Sequence, residues 1–271
     1  MTNGSVLITG CSDGGIGSAL ALAFQAKNYH VFATARNPSK MTALHNIPNI
    51  TLLTLDVTNL THITTAVDTV RNATAGSLTY LINNAGRNHF MPVLDEDLDA
   101  ARRIYETNVF GPLAITKAFA PLVINARGSM VFITSIAGAS KRSLEIIAET
   151  LRLEMAPFNV KVLSIVTGAV RTNGQTYFDD LRLPEDSLYK TVEDTVVARA
   201  GGEDGATRMT AEEYAARVVR AITAGRQGKF WCGNMAGSVW FGSTYLPQRI
   251  MDIGLVKGTG LDELGGDAKK D

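Results

Sequence analysis

The feature that most constrains the fold is the run Thr9-Gly10-Cys11-Ser12-Asp13-Gly14-Gly15-Ile16-Gly17. It stands between an apolar segment, Ser5 to Thr9, and a stretch with Ala19, Leu20, Leu22, Ala23 and Phe24 at helical spacing. The first reads as a buried strand bounded by Gly10, the second as a helix. His30 to Ala35 reads as the next strand. Glycines in such a turn let the backbone bend sharply and approach a pyrophosphate. The helix N-terminus then presents unpaired N–H groups and the positive end of its dipole. A chain that opens with this β-α-β unit is expected to build an α/β dinucleotide-binding fold.

The 271 residues, 45% of them hydrophobic, can bury a sizeable core, as one large α/β domain or two small ones. Lys plus Arg and Asp plus Glu both number 26, and the absence of a basic excess argues against a nucleic-acid partner. Cys11 and Cys232 are far apart and fit no disulfide or metal pattern, which reads as two free thiols in a reducing compartment. His30, His45, His62 and His89 are scattered, so no metal site is expected. No charged-then-apolar leader opens the chain, and no uninterrupted apolar run approaches the roughly 18–20 residues of a spanning helix. The expectation is a cytoplasmic protein without a membrane span. Ser135 lacks the nucleophile-elbow pattern, so hydrolysis is not indicated.

The second strand ends in Thr34-Ala35-Arg36-Asn37. A fold that prefers NAD usually has an acid here for the ribose 2′-hydroxyl. An Arg suits a 2′-phosphate through paired, charge-assisted hydrogen bonds. The expected cofactor is therefore NADP(H), with Arg36 and Ser12 holding the phosphate.

Further segments follow in a recognisable order. They are Leu55-Asp56-Val57, Asn83-Asn84-Ala85-Gly86, Asn108-Val109-Phe110-Gly111, Phe132-Ile133-Thr134-Ser135 and Glu149-Thr150-Leu151-Arg152-Leu153-Glu154. With the glycine-rich turn, which carries one extra residue, this set resembles the short-chain dehydrogenase/reductase family over about residues 5 to 172. The resemblance implies a single-domain, Rossmann-like, doubly wound parallel sheet of about seven strands with helices on both faces. That domain would span 1–264, with a mobile lid at about 173–209 and a polar, disordered tail at 265–271. It implies cofactor contacts from Gly10, Gly15, Ile16 and Gly17, from Asp56 and Val57, from Asn84, Ala85 and Gly86, from Lys141, and from Gly168, Val170 and Thr172. It also implies a homodimer or homotetramer. The stripe Leu144, Ile147, Leu151 suits either a dimer face or ordinary core packing.

The departure from the family lies at Ser135-Ile136-Ala137-Gly138-Ala139-Ser140-Lys141. The segment opens like the strand of the catalytic Ser and ends like the catalytic helix, Ala-Ser-Lys. In the family a Tyr stands four residues before that Lys. The corresponding position here is Ala137, and the loop that carries the Tyr is missing with it. The resemblance assigns catalytic roles to Asn108, Ser135 and Lys141, with no Tyr to deliver the proton. Thr167 also stands where the family has Pro before Gly168, which restores an N–H and suggests an altered pocket floor.

Three readings follow. In the first, hydride goes to an iminium, whose nitrogen already carries the charge and needs no proton. This description is similar to divergent fungal family members of prenylated indole alkaloid pathways, which reduce an iminium and then guide an intramolecular Diels–Alder closure. In the second, a carbonyl reductase uses a displaced acid, His89, Tyr105 or Tyr177. The third is a non-catalytic NADP(H)-binding protein. Cys11 to Gly17, Leu183 to Tyr189 and the aromatic C-terminal segment also resemble fungal reductases related to acyl-dihydroxyacetone-phosphate reductase.

On the substrate side, Phe178, Leu181, Leu183 and Leu188 are expected to line an apolar pocket. Thr210 reads as a helix N-cap, with the helix running to about Ala224. Lys229 to Cys232 reads as the last strand, and Ser238 to Pro247 as an aromatic cover for a pocket or a subunit contact. The partner expected is a bulky, apolar small molecule.

Overall fold

The computed structural model describes residues 2–264, except Asp179 and the side chains of Gln175, Thr176 and Tyr177. The tail expected to be disordered, 265–271, lies outside the described residues.

The strands are β1 (Ser5–Thr9), β2 (His30–Ala35), β3 (Ile50–Thr54), β4 (Tyr80–Asn83), β5 (Ser129–Ser135), β6 (Lys161–Thr167) and β7 (Gly228–Cys232). The helices are α1 (Ile16–Gln25), α2 (Leu60–Ala73), α3 (Leu98–Tyr105), α4 (Gly111–Ala126), α5 (Ala139–Met155), α6 (Glu193–Gly201), α7 (Ala211–Thr223), α8 (Ala236–Tyr245) and α9 (Gln248–Val256). All seven strands form one sheet in the order β3-β2-β1-β4-β5-β6-β7, every pair parallel. The doubly wound sheet is as expected.

Strand alternation divides the core. Val6 and Ile8 of β1 face a layer containing α1 and α7, while Leu7 faces the layer of α2, α4 and α5. Buried on both faces, the inner strands carry near-continuous apolar runs. The order reverses between β1 and β4, so their carboxyl ends flank the crevice where ligands bind in such folds.

Local details agree with several expectations. Thr210 caps α7 by accepting from the Glu213 N–H at 3.2 Å, and the helix ends at Thr223. Of the stripe on α5, Leu144 is fully buried and Leu151 packs against the same core cluster, while Ile147 is half-buried outside it. Ordinary core packing therefore accounts for Leu144 and Leu151, and the exposed apolar residues of α5 are Ile146 and Leu153. The continuous helical stretch Leu98–Ala126 has a window of mean hydropathy 1.5, long and apolar enough to cross a membrane by composition. Its apolar residues Ile115, Phe119, Leu122 and Val123 are buried in the α2/α4/α5 layer, as a core helix requires.

The lid segment folds on itself. Leu183, Val192 and Val196 form a small core with Leu181, Tyr189 and Met91 packed against it. Phe178 and Leu183 are buried and Leu188 is exposed. The expectation that these residues line an open pocket is corrected: Leu181 and Leu183 serve the lid's own packing instead.

Thr167 is also explained. Its hydroxyl lies 2.6 Å from the Tyr214 hydroxyl, and both are buried. The residue in place of Pro thus joins β6 to α7 rather than reshaping a pocket floor. Tyr214→Phe removes one buried neutral hydrogen bond, which is expected to lower stability by about 1 kcal/mol. In a chain of this size thermal unfolding should then fall by roughly 2–4 °C.

Candidate active site

The crevice is assembled around β1 and β4. The Asn84 amide nitrogen donates to the carbonyls of Thr9 at 2.8 Å and Gly10 at 2.9 Å. The Thr9 hydroxyl accepts from the backbone N–H groups of Asn84 and Ala85, both at 3.0 Å. The two turns that would contact a dinucleotide are thereby fixed to one another. Gly17 sits where α1 meets this junction. A Cβ there would lie 2.3 Å from the Gly10 carbonyl and 2.6 Å from the Asn84 amide, so only Gly permits the approach. The N-terminus of α1, beginning at Ile16 after Gly15, opens into the crevice with no side-chain cap. This backbone cradle fits a dinucleotide pyrophosphate.

Asp13 is turned to a structural use. Its carboxylate accepts from Thr42 N–H at 2.8 Å, Thr42 Oγ1 at 2.6 Å and Ala43 N–H at 3.0 Å. Burial acts to raise its pKa, but these bonds outweigh burial and hold it low. The carboxylate therefore ties the glycine turn to the segment after β2. Arg36 is exposed at the end of β2 and makes no ion pair among the described residues. Burial acts to raise the pKa of the nearby Asp56, but hydrogen bonds from Thr58, followed by the charges of Arg36 and His62, outweigh it and keep that carboxyl low. Ser12 is half-buried in the turn. Val57 is buried beside Asp56.

Asn108 occupies a π-helical turn, Glu106–Phe110, between α3 and α4. Such turns inside α-helices are frequent at functional sites. The buried side chain of Asn108 donates to the Arg87 carbonyl at 2.9 Å and to Ser140 Oγ at 3.1 Å, and accepts from Arg87 N–H at 2.8 Å. Lys141 lies beside it, donating from Nζ to the Ile133 carbonyl at 2.9 Å. A Cβ on Gly86 would fall 2.8 Å from that ammonium and 3.1 Å from the Asn108 carbonyl oxygen. The structure thus brings Gly86, Asn108, Ser140 and Lys141 into one cluster. Burial pushes Lys141 down to about 8.

Ser135 stands apart from this cluster in its bonding. Its hydroxyl accepts from the Ala137 N–H at 3.3 Å, within the three-residue connection Ile136-Ala137-Gly138 that leads directly into α5. Ser135 and the connection line a groove of about 980 Å³ bounded by α5, β7 and α8. Beyond β6, the Gly168 N–H donates to the Cys232 carbonyl at 2.8 Å, and Val170 bridges to Met209. Thr172 accepts from the Gly174 N–H, and Asn173 donates to the Asp13 carbonyl at 3.1 Å. The chain after β6 is therefore laid against the glycine turn.

The three displaced-acid candidates part company. The Tyr105 hydroxyl is 3.4 Å from Ser143 Oγ, one turn further along α5 than Ser140, and it lines a separate hollow of about 320 Å³ with Leu98 and Phe110. Ser135 lines the larger groove and not this hollow. The side chain of Tyr177 lies outside the described residues. His89 Nε2 contacts both oxygens of Glu96, at 2.6 and 2.8 Å, with 31% and 19% of the two side chains exposed. Their loop is fastened to the lid by Ser187, which donates to Asp95 at 2.6 Å. Glu96 was missed by sequence reasoning, as were Ser140 and Asn173: each is defined by a partner distant in sequence. The Asn37 and Asp56 side-chain bonds to residues two positions on were within reach of local turn rules.

The model of the short chain dehydrogenase family matches residues 5–181. The chain belongs to the short-chain dehydrogenase family. Among curated relatives, the short-chain dehydrogenase ptmH of Penicillium ochrochloron is 44% identical over 272 residues, covering 96% of this chain and all of the relative. The NADPH-dependent 1-acyldihydroxyacetone phosphate reductase of Schizosaccharomyces pombe is 34% identical over 274 residues, covering 92% and 91%. The resemblance to fungal members is therefore borne out. A solved short-chain dehydrogenase from Streptomyces avermitilis shares the fold with a TM-score of 0.77 at 26% identity, over 97% of this chain and 99% of that one. One from Burkholderia cenocepacia, in complex with NADP, has a TM-score of 0.73 at 24% identity, over 94% and 98%. Members of this family are nicotinamide-dependent oxidoreductases.

The lowered pKa of Lys141 has a stability consequence. Below pH 8 the folded and unfolded chains both carry the charge, and burying it opposes folding in full. Between pH 8 and 10.5 the folded chain gives up its proton first, so stability gains as pH rises. Lys141→Met should be more resistant to denaturant than the parent at pH 7 and should lack this gain. Denaturant melts of both proteins at pH 7, 8, 9 and 10 check it.

Proposed function

We propose that this family member is an NADP(H)-dependent reductase of fungal secondary metabolism that acts on the iminium group of a bulky substrate. The observation that carries the proposal is the bare connection after Ser135. Ile136-Ala137-Gly138 offers no hydroxyl where the family has its acid, and α5 begins at once. A bound nicotinamide supplies the hydride. An iminium carbon can accept it while its nitrogen, already charged, becomes neutral, so the protein need hold no proton for the heteroatom.

In this reading the chain's residues bind and orient. The backbone of Gly10, Gly15, Ile16 and Gly17 would receive the pyrophosphate, and Arg36 with Ser12 the 2′-phosphate. Lys141 and Asn108 would position the ribose side of the cofactor beneath Gly86, and Ser135 would orient the substrate at the mouth of the groove. An intramolecular Diels–Alder closure after reduction belongs to the same proposal, since it asks of the protein only a shaped enclosure.

A specific observation favours a second reading, reduction of a carbonyl. The His89–Glu96 pair is a donor system, a carboxylate holding one ring nitrogen so that the other, when protonated, can give up its proton.

NADPH oxidation measured with cyclic iminium ions and with ketones or aldehydes separates the readings. Turnover of iminium ions only, kept within about twofold in His89→Ala, is the expected result. Turnover of carbonyls that falls by 10²–10⁴ in His89→Ala would establish the second reading. Tight NADPH binding with neither activity would sink both in favour of a non-catalytic role. Arg36→Ala should weaken NADPH binding by about tenfold while leaving NADH unchanged, as read by cofactor fluorescence titration.

A further inference from the structure

The three-residue connection between β5 and α5 opens onto the groove of about 980 Å³, and the groove has two chemically different ends. Ser135, Thr167 and Cys232 are register partners across β5, β6 and β7. The Ser135 end is therefore level with the carboxyl edge of the sheet, where the cofactor crevice lies. Gly138 there has φ of +89° and faces open space. Lys229 stands three residues back along β7, opposite Ser164, which is about 10 Å at 3.3 Å per residue. Being two residues apart, Lys229 and Trp231 share one face of β7. Lys229 reaches Glu145 of α5 at 2.7 Å, which identifies that face as the one turned to the groove.

The middle of the groove is aromatic. Trp231 comes from β7 and Trp240 from α8, the latter braced edge-on by Tyr245 at 5.9 Å between ring centres. These are the two tryptophans of the whole chain. The far end is cationic. Glu145, 1% exposed, takes both Arg142 and Lys229. Arg226 lies 4.9 Å from the ring centre of Phe230 and has no carboxylate partner among the described residues. Arg142 and Lys229 thus share one carboxylate on the α5 side of β7, and Arg226 joins the groove's lining from the other side of that edge strand, where Phe230 packs toward the α1/α7 layer.

We propose that this groove binds the part of the substrate remote from the reacting atom, and that this part is a flat aromatic or polycyclic skeleton ending in an anionic group. The volume lies within the range of about 300–1,000 Å³ that small-molecule sites occupy. Indole faces suit flat rings, and a guanidinium already stacked on a ring suits a carboxylate, sulfonate or phosphate oxygen. The proposal rests on the functional reading only in taking Ser135 as the reacting end. A cationic iminium there is compatible with cations at the other end, because about 10 Å is one screening length at roughly 0.1 M salt.

The test uses the full chain and two probes that differ by one charge, anilinonaphthalene sulfonate and uncharged N-phenylnaphthylamine. Probe emission and quenching of the two tryptophans are read together. One sulfonate site that quenches tryptophan is expected. Arg226→Gln should weaken the sulfonate about tenfold and leave the uncharged probe unchanged, while Trp240→Ala should weaken both about tenfold. Ala137→Trp, which fills the Ser135 end, should exclude both probes while NADPH binds with its original affinity. Equal loss of both probes in Arg226→Gln, or undiminished binding in Ala137→Trp, would overturn the proposal. So would a chain that light scattering shows to be a dimer and that binds neither probe, since a second copy would then occupy the groove. None of these readouts needs turnover, so failure of the iminium reading leaves the groove assignment standing, and the reverse.

Discussion

The site depends on the join between the two halves of the sheet. Strand order reverses between β1 and β4, and the Asn84 side chain spans that point to the carbonyls of Thr9 and Gly10. These carbonyls lie at a strand end and would otherwise need water or another donor. Because the bond holds the glycine turn against the Asn-Asn-Ala-Gly turn, both are presented to one crevice. Gly17 can then bring α1 to within contact of the same atoms, and the helix N-terminus points where an anion would lie.

From that join the rest of the site is built by succession. Gly86 lacks a side chain where Lys141 and Asn108 crowd beneath it. The π-turn carrying Asn108 gives its amide access to both the Arg87 backbone and Ser140, so the start of α5 is anchored to the turn after β4. This anchoring accounts for how α5 keeps its place although the connection before it is only three residues long. The helix is held at its first turn by Asn108 and lower down by Glu145, which reaches across to Lys229 on the edge strand. The groove opens beside this short connection, with Ser135, Ile136, Ala137 and Gly138 in its lining.

Much of this was legible in the chain itself. The glycine-rich turn, the Arg after β2, the Asn-Asn-Ala-Gly segment and the missing Tyr are local patterns, each contained in fewer than ten consecutive residues. Thr210 was readable as a cap because the bond it makes is to Glu213, three residues on. The lid was not readable in the same way. Phe178, Leu183 and Leu188 look alike as apolar residues, yet the first two are buried and the third is exposed, because burial depends on which neighbours the lid meets when it folds. The α5 stripe was equally ambiguous, since helical periodicity marks a buried face without saying what buries it.

The sequence by itself determined the class of fold, the place of the nucleotide-binding turn, the charge expected at its phosphate end and the loss of the proton-donating Tyr. These follow from residue chemistry and from spacing along the chain. Tertiary structure alone decided that Tyr105 meets Ser143, that His89 is paired with Glu96, and that Thr167 belongs to a bond with Tyr214. It alone placed both tryptophans in one groove with Ser135. Those contacts join residues separated by seven to about a hundred positions, and only the closing of the sheet and the packing of its helices bring such residues within the few ångströms over which hydrogen bonds and ring contacts act.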